Sequence, residues 1–149
     1  NKQGGEKPMD YREKAIDELH ILRTDYTAEK LIRERIADIE SSMTSVGGSN
    51  GGMPKGGGNK TEEKWLNLLA NAADEDIRYR QVKKRIKRVE AALNAISTDE
   101  ARLLKLIYVE ERKIEECARV MHISRATAYR LREDALISFT RSLYGAVVT

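Results

Sequence analysis

The stretch SVGGSNGGMPKGGGN, from Ser45 to Asn59, is dominated by glycine and carries no aliphatic pattern. On both sides lie long segments whose apolar residues recur three and four apart, the mark of an amphipathic helix. Before the glycines, Ile16, Leu19, Leu22 and Tyr26 form one set and Ile32, Ile36, Ile39 and Met43 a second, with a slip of phase between them. A helix is expected from about Asp10 to Ser42. The slip predicts either a stripe that drifts around a straight helix or a bend near Thr24–Thr27. After the glycines, Thr61 is a suitable cap, followed by Glu62 and Glu63 where the helix dipole favours acids. Trp65, Leu69 and Ala72 open the second stripe, and Val82, Ile86, Val89, Leu93 and Ile96 continue it. Helix, glycine connector, helix is most simply an antiparallel hairpin. Such a hairpin keeps spare apolar surface, so a homo-oligomer is expected, with a dimer the simplest.

The glycines invite comparison with a phosphate-cradling loop. That loop needs Gly-Lys-Ser/Thr at its end and a strand before it, whereas Lys55 is followed by Gly. The segment is therefore expected to be a flexible connector.

Composition narrows the class further. Among 149 residues, charged side chains make up 34% and aromatics 5%, which suits a well-solvated helical protein with a modest core. The single cysteine rules out an internal disulfide, and Cys117 falls on an apolar helix face where packing is its expected role. His20 and His122 are far apart, so no metal-ligand spacing exists. With no nucleophile–base pair and no cofactor loop, no catalytic residue, metal or cofactor is expected. No apolar run reaches membrane-spanning length, so a cytoplasmic protein without a membrane partner is expected. Residues 1–8 are expected to be a disordered tail or a vector-derived remnant, with Met9 as the natural start. No strand is expected; Val147-Val148 is too short and terminal.

Ser97 and Glu100 fit a capping box, which restarts the chain after the hairpin. A helix is expected from about Asp99 to Glu110, with Leu103, Leu104, Ile107 and Tyr108 available for a core. The next stretch, KIEECARVMHISRATAYRLR from Lys113 to Arg132, has the pattern of a helix-turn-helix. Ala118 is the small residue that lets two helices cross closely. Cys117, Met121, Ile123, Ala128 and Leu131 fall where both helices face a shared core. His122 stands at the turn where many such motifs place glycine; it is among the few other residues that visit left-handed backbone. Ser124 caps the second helix. The exposed face of that helix carries Arg125, Tyr129 and Arg130, side chains suited to phosphates and base edges. Tyr129 suits a thymine methyl, a phosphate or the edge of the core equally. The helix continues through Ala135, Leu136 and Phe139 and stops near Tyr144-Gly145.

The order TDEARLLKLIYVEERKIEECARVMHISRATAYRLREDAL resembles the fourth region of bacterial sigma factors, where a scaffold helix precedes a helix-turn-helix and the recognition helix ends in a pair like Ala135-Leu136. The whole layout resembles phage-encoded late-gene transcription regulators of the RinA/ArpU type from Gram-positive hosts. This resemblance implies binding to double-stranded DNA near a promoter, in a bacterial host, with contact to host RNA polymerase. Carried over by position, it puts base reading on Arg125, Ala126, Tyr129 and Arg130, with Ser124 and Thr127 nearer the DNA backbone. Ala126 stands where true sigma factors have an acid and Tyr129 where they have a base, so the −35 element of primary sigma factors is not the implied target. No region that would bind core polymerase as a sigma factor does is visible.

The fold expected is thus all-α: a long N-terminal antiparallel hairpin over 9–96, with its glycine loop at 44–60, then a helix-turn-helix domain over 97–149. One feature lies outside the motif. The run RYRQVKKRIKR contains no acid, and Arg78, Arg80, Lys83, Lys84, Arg85, Lys87 and Arg88 are candidate phosphate contacts. The competing reading is a solvated face paired with acids such as Glu34, Asp38 and Glu40, although a hairpin would set those opposite the start of the second helix. Glu110, Glu111, Glu115 and Glu116 form a cluster expected to be solvated surface, or to meet a protein. Rival functions are a DNA-packaging adaptor of the small-terminase kind, whose DNA-binding part usually comes first, and a helical interaction scaffold that has lost DNA binding.

Overall fold

The structure, a computed structural model, describes residues 10–46 and 59–145. The expected tail at 1–8, most of the glycine loop and Val147-Val148 lie outside the described residues. Among the described residues, five α-helices occur in the order α1 (Tyr11–Val46), α2 (Asn59–Asn94), α3 (Thr98–Leu104), α4 (Ile114–Val120) and α5 (Arg125–Tyr144). No strand occurs among the described residues, and none of the described helices is long and apolar enough to cross a membrane.

The starts of α1, α3 and α5 have local causes, whereas α4 opens at Lys113 without a side-chain cap and α2 begins at Asn59, ahead of the cap expected at Thr61. The Asp10 carboxylate accepts from the amides of Arg12 and Glu13 at 3.0 and 3.3 Å, which satisfies orphan donors at the start of α1. The Ser97–Glu100 capping box forms as expected, each side chain accepting the other's backbone amide. Beyond α3 the expected helix to Glu110 loosens into one π-helical turn, Lys105–Val109, in which the Glu110 amide reaches back to the Lys105 carbonyl. Glu111 then turns left-handed, with φ 57°.

The chain divides into two compact units, and the boundary differs from that expected at Ser97. One unit comprises residues 10–24 and 86–145; the other comprises Asp25–Arg85. The first unit therefore includes the opening turns of α1 and the closing turns of α2. Leu19, Leu22, Ile86, Val89 and Leu93 are buried in it alongside Leu103, Leu104, Leu136 and Phe139. Contacts from the ends of the long helices explain the grouping. Arg12 pairs with Glu133, the Tyr11 and Tyr144 rings lie 5.3 Å apart, and Ser142 donates to the Ala92 carbonyl.

The second unit is a pair of antiparallel helix segments with a thin apolar seam. Ile32 and Val82 are its buried aliphatic residues, and Asp25 and Glu75 are buried with them. The phase slip expected in α1 is filled by acids. From Asp25 the inward positions step to Glu29, Ile32, Ile36, Ile39 and Met43 at three-four spacing, within one unbroken helix. Facing them, α2 presents Trp65, Leu68, Ala72, Glu75, Tyr79 and Val82. Leu68, not Leu69, takes the inward place, and Leu69 is 41% exposed. The pairs Asp25–Arg85, Glu29–Lys83 and Arg35–Glu75 form a ladder that fixes the antiparallel register.

Candidate nucleic-acid interface

Helices α4 and α5 form the helix-turn-helix. Ala118 and Ala128 are buried at their crossing, with Ile114, and Ile123 and Tyr129 pack against them. Cys117 joins a second cluster with Leu103 and Leu106, covered by Met121 and Leu131. The expected core positions are therefore all present. Small side chains at 118 and 128 let the helix axes approach closely.

The turn between them is set by His122 at φ 55°. The Ile123 amide donates to the Ala118 carbonyl at 3.0 Å, and the His122 amide to the Arg119 carbonyl at 3.2 Å. This pair of bonds, with an apolar residue following the left-handed one, is the Schellman motif. Ile123 supplies the apolar contact by packing on the α4–α5 cluster. The close turn is thus achieved without glycine, as the sequence suggested.

Ser124 opens α5. Its hydroxyl accepts the Thr127 amide at 3.1 Å and donates to the Thr127 hydroxyl at 2.8 Å. The cap aims the first turn of α5 outward. Arg125, Ala126, Thr127 and Arg130 are all exposed over the first two turns, with Ala126 and Arg130 on the side opposite buried Ala128. Arg125 is ion-paired with Glu115 at 3.2 Å. Its guanidinium also lies 5.6 Å from the centre of the Tyr129 ring, and that of Arg132 lies 5.0 Å from it. Tyr129 first, and then Glu115, hold Arg125 further toward its charged form. Tyr129 is half-buried, so it serves the core edge while two cations flank its ring.

Two residues outside the expected DNA-facing set contribute: Arg132, which the sequence did not single out, and Glu115, expected only as part of the acidic cluster. Arg132 meets Tyr129 from three residues along α5, a spacing that brings helical side chains together. Glu115 holds Arg125 across the motif. The neighbouring acids are also engaged: Arg112 bridges Glu110 and Glu116, and Arg23 meets Glu111. The acidic cluster is thus tied to arginines of its own chain.

The basic run is mostly neutralised by acids other than those weighed from the sequence. Arg85 grips Asp25 through two hydrogen bonds of 2.9 and 3.1 Å, which push the guanidinium further toward its charged form. Lys83 meets Glu29, Arg88 meets Glu18, and Arg78 and Arg80 meet Glu75 and Asp76 on their own helix. Lys84 and Lys87 are exposed and make no such contact with the described residues.

Among the described residues no cluster of His, Cys, Asp or Glu fits a metal ion. Burial, then the nearby Glu116 charge, pushes the Cys117 thiol up, away from the thiolate that chemistry would need. Comparison with known proteins gives one match: residues 86–136 fit the family model described as sigma-70, region 4. That span opens at Ile86, where the first compact unit resumes. No curated protein and no solved structure matches the chain. The C-terminal part of this all-α chain is therefore a helix-turn-helix domain like sigma-70 region 4.

Proposed function

We propose that the chain is a sequence-specific regulator of transcription that binds double-stranded DNA, is encoded by a phage or prophage, and acts on late genes in the cytoplasm of a bacterial host. It works without enzymatic activity and as a homo-oligomer. Host RNA polymerase is its second partner, as the resemblance to late-gene regulators implies. The observation that carries this reading is the exposed surface of the first two turns of α5, where Ser124 caps the helix and Arg125 and Arg130 stand outward on a region-4-like frame. Arginine suits this place because its fork matches guanine O6 and N7 in the major groove. Ser124 and Thr127 are placed for phosphates, and Ala126 and Tyr129 for apolar contact with bases. The occupied charges of the basic run leave Lys84 and Lys87 as the simplest auxiliary phosphate contacts.

A gel-shift survey with promoter-region fragments of the encoding genome tests this reading. A discrete palindromic or directly repeated site upstream of late genes is the expected result. Binding confined to a packaging-initiation site would favour the packaging adaptor instead, and no retained fragment at all would favour the interaction scaffold.

A further inference from the structure

Helix α2 carries a second seam on the side away from α1. Residues 63, 66, 70, 73, 77 and 80 step three, four, three, four, three, which is the spacing of a coiled-coil contact. They are Glu63, Leu66, Ala70, Ala73, Ile77 and Arg80, all exposed. Leu66 and Ile77 are 54% and 55% exposed, unusual for side chains of that size. Nothing within Asp25–Arg85 covers this face, and that unit buries little else that is apolar.

The seam is complementary to itself. Glu63 and Arg80, Leu66 and Ile77, and Ala70 and Ala73 are three pairs with one common midpoint along the helix, between residues 71 and 72. If a second α2 lies antiparallel on this face, Glu63 meets Arg80 of the second copy, Leu66 meets Ile77, and Ala70 meets Ala73, each twice. That is the residue-to-residue reciprocity of a two-fold interface. Alanines at the centre let the axes come close, while the larger side chains interlock on either side. A parallel pairing would set Glu63 on Glu63 and Arg80 on Arg80, and like charges oppose it. DNA is a poor occupant, because the face is apolar at its centre and acidic at one end.

We infer that this face of α2 is the contact through which two copies of the chain pair antiparallel, with Leu66 and Ile77 as anchors and Glu63 and Arg80 setting direction. The inference rests on the proposed homo-oligomer and gives it an interface. One acid near the seam already serves Arg80 within the helix, since Asp76 lies 2.9 Å away. In the pair, Arg80 would lie between Asp76 and the Glu63 of the second copy.

Sedimentation equilibrium of the full chain without DNA tests it, with circular dichroism to check folding. The intact protein is expected to be a dimer at micromolar concentration. Ile77→Lys, at a site already exposed in the single chain, is expected to raise the dissociation constant by roughly tenfold or more with helicity unchanged. Glu63→Lys and Arg80→Glu are each expected to weaken the dimer, and the double variant to restore it. A monomeric intact protein, an Ile77→Lys variant that dimerises as tightly as the original, or a double charge swap without recovery would overturn the inference. These outcomes are separate from DNA binding. A dimer that obeys them but ignores DNA would refute the regulator and keep the interface; specific DNA binding with an indifferent seam would do the reverse.

Discussion

The two compact units are held together by different physics. The unit made of residues 10–24 and 86–145 buries large aliphatic side chains and Phe139 almost completely, and α3 and α5 start on serine caps. The unit Asp25–Arg85 buries acids at positions where a seam would ordinarily be apolar, and pairs Asp25 and Glu75 with Arg85 and Arg35 of the facing helix. Apolar burial is non-directional and stabilises many arrangements, whereas a carboxylate gripped by two guanidinium hydrogen bonds accepts only one. The first unit is thus built for stability around the helix-turn-helix. The second is built for register, with its remaining apolar surface turned outward.

The largest expected effect comes from cutting the chain where the sequence suggests a boundary. A fragment beginning at Ser97 keeps the whole helix-turn-helix but loses Leu19, Leu22, Ile86, Val89 and Leu93, all buried in the same unit. It should give no cooperative thermal transition by circular dichroism. A sharp transition near that of the full chain would mean that the ends of α1 and α2 are accessories.

Next comes the ion pair between buried Asp25 and half-exposed Arg85. Asp25→Ala strips Arg85 of a partner it holds through two hydrogen bonds, and should cost about 2 kcal/mol in denaturant unfolding. The double change Asp25→Leu with Arg85→Leu should be neutral or stabilising, because well-packed apolar residues often replace such a pair without loss. If the double change is as harmful as the single one, the pair supports the unit's stability and not only its register.

Ser124→Ala removes the cap of α5 and should lower stability by about 1 kcal/mol, read in the same unfolding assay. The smallest effect is expected from Lys84→Gln with Lys87→Gln. The slope of log affinity against log salt should shrink by no more than about two per protomer, with sequence preference kept. A larger change would mean that paired members of the basic run leave their acids for phosphates on binding.

Much of the first unit is legible from sequence because its signals are local. The Ser97–Glu100 box, the Ser124 cap, His122 in the left-handed turn and Gly145 at the end of α5 each act within a few residues. The inward set Ala118, Ala128 and Cys117 follows from helical spacing once the turn is placed. What escapes is non-local. Asp25 and Glu29 break the apolar count of α1, and only the facing Arg85 and Lys83 make their burial possible. Leu68 displaces Leu69 from the seam because the true seven-residue phase runs through Trp65, Leu68 and Ala72, and three apolar residues in four positions do not say which face wins. At the candidate interface the exposed arginines can be read directly, but the Glu115–Arg125 pair crosses between two helices and needs their packing angle.

The central claim is that the first two turns of α5 read DNA sequence. Its most direct test is a competition titration, by fluorescence anisotropy, of the intact protein and of Arg125→Ala with Arg130→Ala on the selected site and on a scrambled duplex. Each lost base contact should cost about 1–3 kcal/mol, so the double variant should bind the selected site at least about thirtyfold more weakly and no better than the scrambled one, with helicity intact. Undiminished preference for the selected site in the double variant would contradict the account and move recognition to another surface.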